Sequence, residues 1–467
     1  MAEVLDGVPE TGARRRTGPG YLGVLLGVFT IVLDTTIVNV AVPRIEQDLH
    51  GTVTVLQWVV NGYNLMFAAL LLSAGALADR LGGRRVFAIG LVAFAIASLA
   101  CGFAPTPLTL VAARAAQGIG AALMLPTALA LATQLHPEPA ARGRALGRWA
   151  AVAGAATVLG PVVGGGLVDT LSWRAIFFVN VPVAVLALVL LLRNIPPGAK
   201  REGRFDLGGQ LLSVLALAAI AVALTEAGPR GWGSAVVLLA LLVAFGATAG
   251  LVLVERRTRA PMLPPDLVGR PRFTAASLVG LVLSVGIYGQ MFVLSLYFQH
   301  ERGASAWETG LSFLPFAAVT VAGPLLAGRF IGAGRARGTL VFGQLTGLAA
   351  SVLLALSGPD TPYWTVAIGL VLLGLCQSAS QPAVAATAMR EAPERHAGIA
   401  SGVLTSARQV GSVLGVALLG GLVSDEREFL SGMHVALFLV AALFAVGAVL
   451  ASAALPAEAR GSARASR

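Results

Sequence analysis

The thirteen residues GALADRLGGRRVF, Gly75 to Phe87, join two apolar runs, Gln57–Ala78 and Val86–Phe103, and carry three arginines between them. Each run has the ~20 mostly apolar residues that a helix needs to cross a bilayer. A short basic loop between two such runs marks the cytoplasmic end of a transmembrane hairpin, because Lys and Arg are retained on that side. Within it, Gly75 permits two helices to pack closely and Asp79 is placed to cap the helix that follows. Arg80, Arg84 and Arg85, on either side of Gly82, face the anionic leaflet.

The same pattern extends outward along the chain. The apolar runs are Tyr21–Ala41, Gln57–Ala78, Val86–Phe103, Leu108–Leu135, Leu146–Val168, Trp173–Leu192, Leu207–Thr225 and Ser234–Val254. They continue with Phe273–Phe298, Trp307–Ile331, Thr339–Leu356, Tyr363–Met389, Gly398–Val423 and His434–Leu455, which makes fourteen spans. The runs are continuous blocks with no two-residue alternation, so they read as helices and not barrel strands. An all-α polytopic membrane protein is expected.

Composition agrees. Of 467 residues, 56% are hydrophobic and 12% charged, against roughly a quarter charged in an average soluble domain. A soluble nucleic-acid binder is excluded despite the net charge of +10, since so apolar a surface aggregates in water. Disorder is excluded for want of polarity. Cys101 and Cys376 lie far apart in apolar runs, which offers neither a disulfide framework nor a thiolate metal site. The five histidines fall in loops or at span ends, and there is one lysine and no P-loop. No metal, cofactor or enzymatic centre is expected. The first span reads as a retained helix, with a long signal peptide as the competing reading.

The basic residues orient the spans. Twenty-six of the 33 lie in the tails and loops of one side, five on the other, and two, Arg114 and Arg408, inside spans. The positive-inside rule puts both termini in the cytoplasm. The dominance of Arg over Lys, with abundant Ala and Gly, suggests GC-rich coding and a bacterial cytoplasmic (inner) membrane.

An internal repeat divides the chain. Shifting span 5 by 255 positions lays Gly143, Gly147, Gly160, Gly165 and Gly166 on Gly398, Gly402, Gly415, Gly420 and Gly421. Shifting span 4 by 256 lays Gly118 on Gly374 and Pro126 on Pro382. The shift moves eight spans, so two six-helix halves are separated by an inserted pair, spans 7 and 8. The expected units are a tail (1–20), a six-helix bundle (21–193), linkers with the inserted helices (194–272), a second bundle (273–455) and a tail (456–467).

Four stretches carry a resemblance. Gly75–Phe87 resembles the loop motif of the major facilitator superfamily, G-x-L-a-D-r-x-G-r-k/r. GAATVLGPVVGGG, Gly154–Gly166, looks like that superfamily's antiporter signature through Gly154, Gly160, Pro161, Gly164 and Gly165; simple close packing of a kinked helix is the alternative. IVLDTTIVNVAVP, Ile31–Pro43, resembles the first-span string of the fourteen-span drug/proton antiporter branch, with Val42 for the usual Leu. LTLVAARAAQGIGAALMLPTALAL, Leu108–Leu131, matches the span-4 motif R-x-x-Q-G-x-G. GIASGVLTSARQVGSVLGVALLGG, around Arg408, and the Trp58–Tyr63 segment also look like that branch. The loop after span 10 departs from the pattern, with Gly328 where the acid belongs.

The resemblance implies a major facilitator fold of two six-helix bundles plus two inserted helices. It also implies proton-coupled export of a lipophilic substrate, cations included, by alternating access. Gly75, Asp79, Arg80, Gly82, Arg84 and Arg85 would then latch the bundles. Asp34 and Arg114 would couple protons: a carboxylate at mid-span costs ~2.5–3.5 kcal/mol and must be paired, protonated or wet. Asp34 satisfied locally by Thr35 or Asn39 is the alternative. Asn61, Tyr63, Asn64, Gln290, Gln377, Gln381 and Arg408 are candidates for the substrate cavity or for structural hydrogen bonds. The expected partners are a small substrate, protons and lipid, with the chain acting as a monomer. A dedicated exporter of one self-made metabolite, and a non-transporting sensor or scaffold, are the rival functions.

Overall fold

The computed structural model describes residues 17–454 except 51, 137, 197–206, 259–264 and 394–396. Most of both expected tails and the first inserted linker lie outside the described residues, as does the side chain of Asp79.

All fourteen runs form helices in the expected order, and no strand occurs among the described residues. Spans 1 to 5 are Thr17–Leu49, Val53–Leu81, Gly83–Gly102, Pro107–Leu135 and Pro139–Thr170. Span 6 is interrupted at Val179, giving Ala175–Phe178 and Asn180–Asn194. Spans 7 and 8 are Leu207–Arg230 and Ala235–Arg257. Span 9, Pro271–Leu296, continues into a π-helical turn, Tyr297–Glu301. Span 10 divides at Phe313 into Ala306–Ser312 and Leu314–Gly332. Spans 11 to 14 are Ala336–Ala355, Tyr363–Glu391, Ala397–Leu422 and Phe429–Ala454.

Two local expectations change. The stretch Gly75–Phe87 is hardly a loop: helix runs to Leu81 and restarts at Gly83. The chain turns on Gly82 alone, at φ +87°, in the left-handed region that glycine adopts without steric cost. Gly82 is therefore the N-cap of span 3, and the backbone of Asp79 belongs to the last turn of span 2. Span 1 also outruns its apolar stretch by a further turn or two, to Leu49. Arg44 and Asp48 ion-pair there at 3.6 Å, one turn apart on the projecting end.

The repeat is visible in contacts as well as in spacing. A Cβ on Gly160 would strike Thr36 of span 1, and on Gly415 it would strike Val285 of span 9. Gly118 abuts the Tyr63 backbone of span 2, and Gly374 abuts Phe316 of span 10. Gly165 meets Ala306 and Trp307 at the start of span 10; Gly420 meets Gln57 at the start of span 2. Each glycine thus does in one half what its partner does in the other. Small residues are needed because backbones in lipid gain most by approaching closely.

The inserted hairpin covers the seam between the halves. Leu65 of span 2, Ala221 of span 7 and Val413 of span 13 form one buried cluster. At one end, Gln210 Nε2 donates to Ala69 O at 2.6 Å and Ser73 Oγ donates to Gln210 Oε1. At the other, Gly228 lies against the Gly421 carbonyl of span 13. Span 8 packs on span 7 and turns Leu242 and Phe245 outward, the latter 74% exposed, as a lipid-facing helix should. Replacing Gln210 by leucine removes both polar ties and takes the acceptor from the buried Ser73 hydroxyl, at about 1–3 kcal/mol for a buried unsatisfied group. The expected result is a lower thermal midpoint for the purified protein in detergent. An unchanged midpoint would mean that apolar packing alone holds the hairpin.

Candidate functional site

Asp34 stands mid-way along span 1 and is fully buried, but it is not bare. Its Oδ2 accepts from Arg114 of span 4 at 2.5 Å. Its Oδ1 accepts from Gln117 Nε2 at 2.8 Å and from Asn180 Nδ2 of span 6 at 2.9 Å. Arg114 and Gln117 are three residues apart, so one face of span 4 presents both. The acid is thus satisfied by other helices, and Thr35 turns its hydroxyl to Ile31 O instead.

The arginine is equally saturated. Nε donates to Val59 O at 3.0 Å and Nη1 also reaches Gln117 Oε1 at 2.6 Å. The guanidinium lies 4.4 Å from the centre of the Tyr63 ring and 5.8 Å from that of Phe177, a cation–π arrangement that suits a desolvated charge. Gln117 passes the network on to Ser98 of span 3 at 2.8 Å. Spans 1, 2, 3, 4 and 6 therefore share one polar cluster inside an apolar bundle. An ionised Asp34 matches its three donors; a proton added to it removes the charge that Arg114 faces.

Of the cavity candidates, only Tyr63 joins this cluster; its hydroxyl donates to Ile31 O at 3.4 Å. Asn61 and Asn64 are buried on span 2; both amide atoms of Asn61, and Asn64 Oδ1, lack a partner among the described residues. Gln290 ties helices together: it donates to Gly286 O at 3.1 Å and accepts from Ser351 Oγ of span 11 at 3.3 Å. Gln377 is half-buried on span 12. Gln381, with its oxygen turned to Arg408, accepts from both terminal guanidinium nitrogens. Sequence reasoning gave no role to Gln117 and Asn180. The i, i+3 spacing to Arg114 pointed to the first; the second is a polar residue in an apolar run beside the break at Val179.

Of the signature residues of span 5, Pro161 and Gly165 touch the second bundle. Gly160 and Gly164 pack on Thr36 and Ile37 of span 1, and Gly165 packs on Ala306 and Trp307 of the second bundle. Polar contacts between the bundles cluster at this arginine-poor end. Trp307 N donates to Asp169 Oδ2 at 2.8 Å, Ser295 Oγ to Asn39 O at 2.7 Å and Gln299 Nε2 to Val40 O at 3.1 Å. His300 and Glu46 face each other at 3.3 Å. At the arginine-rich end, Gly75, Gly147 and Gly328 have open space where a Cβ would stand. Arg84 there donates to Leu192 O at 2.7 Å, within its own bundle.

Two repeated helical bundles, sealed against each other at one end and holding an ion pair at mid-membrane depth, define a polytopic membrane carrier. The sequence profile of the Major Facilitator Superfamily matches residues 24–416 and 276–467. The chain belongs to that superfamily. It is 37% identical over 429 residues to the methylenomycin A resistance protein of Bacillus subtilis, covering 91% of this chain and 92% of that one. It is 35% identical over 419 residues to the tetracenomycin C resistance and export protein of Streptomyces glaucescens, covering 89% and 78%. Among solved structures, a bacterial homologue of the human lysosomal transporter Spinster, in an inward-facing and unoccupied conformation, superposes with a TM-score of 0.65. It shares 17% identity and covers 94% of this chain and 97% of its own.

Proposed function

We propose that this protein is a proton-coupled efflux transporter for small lipophilic antibiotics, acting as a monomer by alternating access in a bacterial cytoplasmic membrane. The observation that carries the coupling is the buried Asp34–Arg114 pair, because a titratable ion pair at mid-membrane depth is costly and characteristically functional. The direction rests on relatives whose names say resistance and export.

Orientation follows the arginines: the arginine-rich end, with both termini, is cytoplasmic, and the end where the bundles touch through polar contacts is the outer one. A cysteine placed at Arg84 is then expected to resist a membrane-impermeant thiol reagent in intact cells and to react in inverted vesicles. Labelling in intact cells would reverse the topology.

In the inward-open state Asp34 is ionised and held by Arg114. When the bundles part at the outer end, a proton from outside neutralises Asp34 and frees Arg114 from it. Reclosure of the outer seam along span 5 returns the proton to the cytoplasm and re-forms the pair. The helical turn at Gly82, with Gly75, Asp79, Arg80, Arg84 and Arg85, latches the inner ends of the bundles in the outward-open state. Inward proton movement contributes ~2.3 kcal/mol per charge per 100 mV. The test is substrate-dependent proton release from inverted vesicles, screened over neutral, cationic and acidic antibiotics. Absence of any proton signal with a substrate that the protein exports would remove the coupling. A pocket dedicated to one self-made metabolite is the second reading, prompted by a relative named for the export of a single compound; it predicts a response to one compound class only.

A further inference from the structure

The second bundle contains a charge that no carboxylate answers among the described residues. Arg408 lies near the middle of span 13, half-buried, running alongside Gly280 of span 9 with its Cγ 3.4 Å from where a Cβ would stand. Its two terminal nitrogens meet the Gln381 carboxamide oxygen of span 12, and its Nε has no partner. Among the described residues no carboxylate ion-pairs with it. The contrast with Arg114, which the same chain buries against Asp34 and four further acceptors or rings, is complete. Ser412, one turn along the same face of span 13, is also buried with its hydroxyl unpartnered.

Arg408 keeps part of its surface exposed although its Nε is enclosed. Tyr288 of span 9, half-buried, is within electrostatic range both of Arg408 and of Tyr63, which stacks under Arg114 in the opposite bundle. The first bundle therefore holds a neutral ion pair at mid-span, and the second an unneutralised guanidinium. Burying an unpaired charge is unfavourable, and a guanidinium edge with a free Nε is shaped for two parallel hydrogen bonds from a carboxylate.

We propose that Arg408 is an anion-accepting site, with Gln381 orienting it, and that the transported substrates are lipophilic acids carrying a carboxylate or an acidic phenol. The inference rests on the transport reading above and narrows that reading away from lipophilic cations. The field of a lone buried cation repels a cationic ligand at the position where it attracts an anionic one.

Three matched probes test it near neutral pH: naphthoate, naphthamide and naphthylmethylammonium. Equilibrium binding to the purified full-length protein is expected to favour naphthoate over naphthylmethylammonium by roughly ten-fold or more, the scale of a charge-assisted hydrogen bond. Arg408→Gln should lose that preference and leave naphthamide binding unchanged, while Arg408→Lys keeps part of it. Equal affinities for naphthoate and naphthamide in the wild type, binding of none of the three, or an equal loss of all three in Arg408→Gln would each overturn the proposal. The same probes added to inverted vesicles separate the two readings. Proton release driven by naphthylmethylammonium but not by naphthoate sinks the anion site and leaves efflux standing. A naphthoate preference in binding without proton release by any probe keeps the site and removes the coupling.

Discussion

Replacing Asp34 by asparagine is expected to abolish substrate-driven proton movement in inverted vesicles, and a second change, Arg114→Gln, is expected to restore the protein's stability without restoring the coupling. The geometry gives both halves of this result. Asp34 accepts three hydrogen bonds through two oxygens; an asparagine has one oxygen, and its NH2 group must point at another donor. Arg114 is then left buried without its counter-charge, which costs about 3–5 kcal/mol for a pair broken on one side. The single variant should accordingly unfold at a lower temperature in detergent. Arg114→Gln in the same chain removes the orphaned charge and recovers most of that loss, while no titratable group remains at mid-span. A double variant that still releases protons on addition of substrate would show that Asp34 is structural and that coupling lies elsewhere.

The second large effect is expected at Gly165. A valine there drives its Cβ into the Ala306 carbonyl and the Trp307 backbone, atoms that cannot swing aside as a side-chain end can. Overpacking of this kind costs about 1–3 kcal/mol. Here the cost falls only on the state in which spans 5 and 10 touch. That shifts the balance roughly 5- to 150-fold away from outer closure, and transport falls because the cycle cannot pass through that state. Gly420→Val, its counterpart against Gln57, should act in the same direction but less, since the Gln57 side chain can move. Gly154→Val is the internal comparison: only Val321, at 3.9 Å, is near. Accessibility of a single cysteine at the outer end of the cleft reads the shift directly. Unchanged accessibility in Gly165→Val would mean that the glycines serve packing alone.

Both results concern residues that were legible before any coordinates, but in different degrees. Asp34 and Arg114 stand out because an ionisable side chain in a run of twenty apolar residues is conspicuous. The repeat that pairs Gly165 with Gly420 is conspicuous for the same reason, since glycine spacing survives in sequence. Gln117 and Asn180 were passed over because a neutral polar side chain in a membrane helix has many uses, and spacing does not say which. The turn at Gly75–Phe87 was misjudged in length, since hydropathy marks where apolar side chains stop and helices continue past that point until a residue such as Gly82 ends them.

The sequence by itself determined the number and order of the spans, the two-fold repeat with its inserted hairpin, and the superfamily. Each of these follows from local composition, because a bilayer judges a helix by its own length, apolarity and flanking charge. Only the tertiary structure decided that Asp34 is enclosed by Arg114, Gln117 and Asn180 while Arg408 stands without a counter-ion among the described residues. Spans such as these are apolar around most of their circumference, so no amphipathic pattern records how each is rotated about its axis. Which side chains meet across five helices is set by those rotations, and they are settled by the packing of glycine against backbone.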